Sequence, residues 1–134
     1  FWLDACQNIK SNSISTSHRT FQIRYYNRIL ATKEKLYKMG IIENNNCSFC
    51  KEEVETLAHM FWECKIIQSF WTKIIVWISS ITDTKIVFKP HEILFHCPLK
   101  DPLPYNFVFS LAREHIYFCR NKKILPISSI LLIF

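Results

Sequence analysis

The fold is decided by residues 47–64, Cys47-Ser-Phe-Cys50-Lys-Glu-Glu-Val-Glu-Thr-Leu-Ala-His59-Met-Phe-Trp-Glu-Cys64. Three cysteines and a histidine fall within this short span, spaced Cys-x2-Cys-x8-His-x4-Cys. Soft thiolates and an imidazole suit a tetrahedral zinc ion, and four protein ligands leave no open position for substrate. The spacing therefore predicts a closed, structural zinc site at Cys47, Cys50, His59 and Cys64. The competing reading is a set of buried thiols and a hydrogen-bonded core histidine. A lone Cys-x2-Cys would favour that reading, whereas four ligand residues in a polar loop favour the metal. Asn44, Asn45 and Asn46 precede the first cysteine and suit the turn and left-handed conformations such a loop needs. His59 and Cys64 lie about 140° apart on an ideal helix, so one straight α-helix cannot aim both at one ion. The helix is expected to break near Glu63, with Cys64 starting the next one.

Outward from this centre the pattern is helical. Thr20 is expected to cap a helix over residues 21–31, with Ile23, Tyr25, Tyr26, Ile29 and Leu30 on one broad face. Thr32 is expected to cap a second helix over 33–39, with Gly40 as its C′ residue. Thr56 is expected to cap a short helix over 57–63. Residues 66–81 follow, with Ile67, Phe70, Trp71, Ile74, Ile78 and Ile81 at spacings of three and four. Residues 82–84 end that helix, and 85–88 read as a short strand or an extended link. Pro90 opens a short helix to His96. Pro98, Pro102 and Pro104 mark a loop, and 105–123 form the last long helix, stopped by Pro126. Only one of the 134 residues is glycine. A β-rich domain normally needs several for its tight turns, so the expected class is an all-α small domain stapled by one zinc. Residues 1–18 form an N-terminal segment without a committed structure, 19–128 the domain, and 129–134 an apolar tail that looks truncated.

The formal charge is +6, unevenly placed. Residues 1–40 carry +5, residues 41–64 carry −4, and residues 65–134 carry +5. Two basic flanks suggest an anionic partner, nucleic acid first, and the acidic zinc loop between them is expected to repel phosphate, so the contact surface is expected on the flanking helices and not on the loop. Arg24 and Arg28 share one side of the first helix, and Arg113, Tyr117 and Arg120 one side of the last. Arginine binds phosphate and tyrosine can stack on a base. The bland alternative is an ordinary solvated helix face. The six cysteines (6, 47, 50, 64, 97 and 119) could form disulfides in a secreted chain, and Asn46-Cys47-Ser48 matches a glycosylation sequon. No basic-then-apolar leader is visible and three of the cysteines sit in the metal-like cluster, so the expected setting is intracellular, cytoplasmic or nuclear, with no membrane. His91-Glu92-x3-His96 misses the four-residue histidine spacing of zinc proteases, and one glycine excludes a phosphate-binding glycine loop. His115 and Cys119, four apart, could form a Cys–His pair but read better as core of the last helix.

The run from Cys47 to Cys64, with Glu55-Thr56 before His59 and Phe70-Trp71 after it, resembles the zinc-binding domain at the C-terminus of non-LTR retrotransposon reverse transcriptases. Phe21–Leu30 and Lys35-Leu36 resemble the upstream helices of that family, and Leu111–Ile116, Arg120–Lys123 and Pro126 its downstream helix. The resemblance implies a non-catalytic accessory domain that binds zinc and helps to bind RNA or DNA, with the polymerase domain as partner in cis. Nothing resembles the paired aspartates of a polymerase, and only Asp4, Asp83 and Asp101 are present. A module that docks on the polymerase without touching nucleic acid is the alternative function.

Overall fold

The computed structural model describes residues 15–83, 85, 87–94 and 105–126. Five α-helices occur among them: α1 (Thr16–Tyr26), α2 (Lys33–Lys38), α3 (Lys65–Thr82), α4 (Pro90–Leu94) and α5 (Tyr105–Lys122). A single π-turn, His59–Glu63, lies between α2 and α3. The only β pairing among the described residues is one antiparallel bridge, Asn46 to Val54. The all-α expectation therefore holds. Residues 85, 87 and 88 form no strand. His96, Pro98, Pro102, Pro104, Cys6, Cys97 and the tail at 129–134 lie outside the described residues.

The π-turn is the packing centre, in contact with α3, α4 and α5. Phe61, 1% exposed, meets the Tyr25 ring edge-on at 5.0 Å. Its carbonyl accepts a hydrogen bond of 2.7 Å from Trp71 Nε1. Trp71 is the largest fully buried side chain, and its indole lies edge-on to Phe109 of α5. Phe109 in turn meets Phe88 at 5.0 Å. Edge-to-face pairs of this kind add to the burial of each ring. Tyr25, also buried, donates its hydroxyl proton to the Leu94 carbonyl at 2.7 Å, which links α1 to α4. Burial pushes the Tyr25 phenol up to about 12.

Helix α3 carries the apolar stripe that its spacing predicts through Ile67, Phe70, Trp71, Ile74 and Ile78. Ile81, in the last turn, departs from it at 57% exposed. Thr32 caps α2 through Lys35 N–H, as expected. Gly40 (φ 73°) closes that helix with its own N–H on Tyr37 and that of Ile41 on Leu36. This is the paired C-terminal closure in which a left-handed residue satisfies the last carbonyls.

Helix α1 corrects the expected span of 21–31. Ser15, not Thr20, is its cap, accepting His18 N–H at 3.1 Å. The helix ends at Tyr26 because Arg28 turns left-handed (φ 56°) and repeats the closure seen at Gly40, through Arg28 on Tyr25 and Ile29 on Arg24. The buried face is His18, Phe21, Gln22 and Tyr25. Ile23 and Ile29 are exposed, while Leu30 is buried from outside the helix. Lys123 (φ 58°) closes α5 in the same way. One glycine does not mean one left-handed residue: Arg28, Lys51, Asp83 and Lys123 adopt that conformation as well.

Replacing Trp71 with alanine removes the indole between the π-turn and α5 and one buried hydrogen bond. The expected loss is about 3–5 kcal/mol of stability. Denaturant unfolding of the variant measures it, and a midpoint equal to that of the unaltered chain would contradict this packing.

Candidate metal centre

Residues 44–56 form a closed loop. Cys47 N–H donates to the Glu53 carbonyl at 2.7 Å and Glu55 N–H to the Asn45 carbonyl at 2.9 Å, on either side of the Asn46–Val54 bridge. Inside this frame the chain turns tightly through Cys47–Cys50. Lys51 N–H reaches the Cys47 carbonyl at 3.0 Å, and Lys51 itself is left-handed (φ 59°). Phe49 N–H lies on Cys47 Sγ at 3.4 Å. The knuckle thus presents Cys47 and Cys50 on one side.

The second pair of ligands comes from the π-turn. Thr56 Oγ1 accepts His59 N–H at 3.0 Å, which starts the turn as expected. The chain then closes with Cys64 N–H on the His59 carbonyl at 3.0 Å, an i to i+5 bond. A turn closed over five residues brings its first and sixth positions onto one side, which an α-helix does not do. Cys64 is extended (φ −62°, ψ 131°) and is the N-cap position of α3. The expected break after Glu63 is present. The π geometry that solves the 140° mismatch was not legible in the spacing.

The four ligand atoms lie within 4.8 Å of one another. Cys47 Sγ and Cys64 Sγ are 3.9 Å apart, and Cys50 Sγ and His59 Nε2 are 3.3 Å apart. A tetrahedron with zinc–sulfur bonds of about 2.3 Å and zinc–nitrogen bonds of about 2.0 Å requires separations of roughly 3.8 Å and 3.6 Å. The donor set fits a zinc ion with side-chain adjustments of no more than about 1 Å. His59 offers Nε2 to the cluster, while its Nδ1 is directed at Glu53 Oε2, 3.5 Å away. Nδ1 makes no hydrogen bond at that distance, but a carboxylate on that side favours the proton on Nδ1 and leaves Nε2 free for a metal. Cys47, Cys64 and His59 are buried and Cys50 half-buried. The Cys47 thiol donates toward Cys64, which brings the Cys64 thiol down to about 7 and raises that of Cys47; the amides of Ile66 and Ile67 also favour the Cys64 thiolate, against its burial. Zinc bound here would displace the remaining thiol protons, so its affinity would fall with falling pH.

Glu55 is the residue whose role its sequence did not disclose. Its side chain has no solvent exposure. Oε1 accepts from Lys33 N–H at 3.1 Å and from Arg120 Nε and Nη2 at 3.0 and 2.7 Å. Oε2 accepts from the Ser48 amide and hydroxyl, both at 3.2 Å. It ties the knuckle to α2 and α5.

Two of the arginines expected on a nucleic-acid surface are internal. Arg113 is 1% exposed, with Nη1 donating to the Ile93 carbonyl at 2.7 Å and its guanidinium 4.8 Å from the centre of the Tyr25 ring. Arg120 has an 11% exposed side chain held by Glu55 and the Ala31 carbonyl. Tertiary partners on α1, α4 and the zinc loop take up the donors that helical spacing alone assigned to phosphate. Arg24 and Arg28 are exposed, and Tyr117 is half-buried. Arg24 and Tyr117 line one groove, whereas Arg28 lines another. Among the described residues His115 Nε2 and Cys119 Sγ do meet, at 3.3 Å, but Cys119 is fully buried.

A family model described as zinc-binding in reverse transcriptase matches residues 3–71, a little over half of the chain. The match covers all four cluster residues, Glu55 and the first part of α3. No curated protein and no solved structure matches the chain. No helix among the described residues is long and apolar enough to cross a membrane.

Cys50→Ser or His59→Ala should lose the zinc and much of the thermal stability, because the binding energy of a closed site is folding energy. Replacing Cys6, Cys97 and Cys119 together should leave one zinc per chain. Metal analysis of the purified variants decides both points, and a drop in the triple variant would show the ligand set to be wrong. Glu55→Ala should retain zinc yet cost about 3–5 kcal/mol, since it strands the Arg120 guanidinium. Metal content read beside the unfolding midpoint separates that effect from loss of the ion.

Proposed function

The chain belongs to the zinc-binding family of reverse transcriptases, and from that premise we propose that this zinc-binding accessory domain contacts nucleic acid beside the polymerase of its parent protein, without a catalytic site of its own. Zinc at Cys47, Cys50, His59 and Cys64 has a structural role in this reading. It holds the knuckle against the start of α3 so that the flanking helices keep their places.

The observation that carries the reading is the groove of about 370 Å³ between α1 and α5, which Arg24, Tyr117 and Phe118 line. An exposed guanidinium beside aromatic rings is a combination that suits a single strand, the cation on phosphate and the rings on bases. Helix α1 contains no acidic residue, and its exposed side adds Arg19. Just past its end Arg28 extends the positive surface. Glu114 also lines the groove, so the field there is mixed and the contact is local to Arg24 and the rings.

The test is affinity for single- and double-stranded RNA and DNA as a function of salt. Arg24→Ala with Arg28→Ala should lower the slope of log affinity against log salt by about one for each phosphate contact removed. Arg113→Ala with Arg120→Ala should act chiefly on the melting temperature, because both guanidinium groups are internal struts. Absence of binding to any of the four probes, or an affinity indifferent to salt, would overturn the reading in favour of a module that only docks on the polymerase.

A further inference from the structure

A second cavity, of about 380 Å³, lies between the zinc loop, the start of α2 and the end of α5. Lys33, Lys51 and Lys123 line it, together with Asn44, Asn46 and Cys47. We propose that this cavity seats one phosphate of a nucleic-acid backbone, a contact that rests on the nucleic-acid reading above but lies apart from the Arg24–Tyr117 groove.

Three lysines from three separate segments of the chain line the one cavity. Among the described residues none of them takes part in an ion pair, and no carboxylate lines the cavity. Like charges gathered without a counter-ion repel one another, and an anion relieves that repulsion. The segment sum of −4 for residues 41–64 hides this arrangement. Glu55 is buried and matched by Arg120, Glu52 is paired with Lys65, and Glu53 is turned toward His59. A zinc ion on three thiolates would carry a net charge of −1, so the lining itself, three lysines beside that site, sums to +2, with the exposed Glu53 and Glu43 carboxylates outside the lining. The lysines supply rotatable N–H donors suited to phosphate oxygens, and the asparagine amides can add more.

The backbone provides an independent observation. Lys51 and Lys123 are two of the four non-glycine residues held left-handed (φ 59° and 58°). Such positions favour glycine, and Lys123 stands at the helix-closing position where glycine is the usual residue. Two lysines are thus kept at a conformational cost, and both line the same cavity. Strain of this kind is commonly held at functional sites.

Substitution by glycine separates the two roles. Lys51→Gly and Lys123→Gly should give melting temperatures equal to or above that of the unaltered chain, because glycine adopts positive φ freely. Each should weaken binding of a short labelled oligonucleotide several-fold at low salt, and the double variant should flatten the salt slope by about one. Lys51→Gln with Lys123→Gln, which removes charge but keeps side-chain bulk, should reproduce the loss. Lys73→Gln, an exposed lysine of α3 outside the cavity, should bind as the unaltered chain does, and zinc content should be one per chain throughout. If the cavity variants bind normally while Arg24→Ala with Arg28→Ala still weakens binding, this inference fails and the reading above survives. If the unaltered chain binds no oligonucleotide, both fail. Displacement of the oligonucleotide by inorganic phosphate or polyglutamate at equal concentration of anionic groups would overturn the assignment, because the cavity would then take a free anion or an acidic peptide.

Discussion

A carboxylate removed from water has to be compensated in full, and Glu55 is compensated by five donors drawn from three parts of the chain. The Lys33 amide belongs to the first turn of α2. The Ser48 amide and hydroxyl belong to the knuckle, and the Arg120 guanidinium to the last turn of α5. A buried ion pair is seldom a large net source of stability, because desolvation offsets the attraction. Its consequence here is geometric. Any movement of the knuckle relative to α2 or α5 strands a charge in the interior, so only one arrangement of the three satisfies every partner. The short C-terminal closure at Lys123 follows Arg120 by three residues, and the capped start of α2 includes Lys33. The start of α2 and the end of α5 are therefore referred to the same carboxylate.

The metal cluster and the carboxylate divide the work of a domain with little regular secondary structure around its centre. Zinc would hold residues 47–64 to one another, and Glu55 holds that loop to what surrounds it. Neither substitutes for the other, because Glu55 is not among the four cluster residues and its partners Lys33 and Arg120 lie outside the loop. The π-turn is the shared component. It carries His59 to the cluster, gives Phe61 to the aromatic core, and delivers Cys64 to the cap of α3. A single register change in this turn would misplace a ligand and a core ring together.

Local signals were the legible part of the sequence. The zinc ligands, the break at Cys64, the Thr32 cap, the Gly40 closure and the stripe of α3 through Ile78 all follow from residues within one or two turns of each other. The readings that failed depend on distant partners. Arg113 has the spacing of a surface residue, but Ile93, Tyr25 and Tyr26 surround it in space, and a guanidinium tolerates burial against aromatic faces and a carbonyl better than an ammonium does. Glu55 was marked only by its place in the Glu55-Thr56 pair of the family resemblance, and its structural role was hidden because its partners Lys33 and Arg120 lie 22 and 65 residues away. Helix α1 was displaced because Ser15 and Thr20 are both sound caps, and only the left-handed Arg28 shows where the helix has to stop. The π-turn has no composition signal of its own. It is required only once both His59 and Cys64 must reach one ion.

Charge shows most clearly why a segment sum and a folded surface differ. The −4 of residues 41–64 suggested that the zinc loop would repel an anion, with the basic flanks as the attractive faces. Folding redistributes those charges. Arg113 and Arg120, counted with the basic flank, are taken inside, and Glu55, counted with the acidic loop, goes with Arg120. A matched pair removed from the surface leaves the net charge unchanged but alters where the field emerges. The loop loses its central carboxylate, and Lys51 is brought beside Lys33 and Lys123. The flank loses two arginines and keeps Arg24 beside Tyr117. The sign of the potential at each face is thus decided by which charges are neutralised internally, and in this domain the pair that decides it is the one that also holds the zinc loop in place.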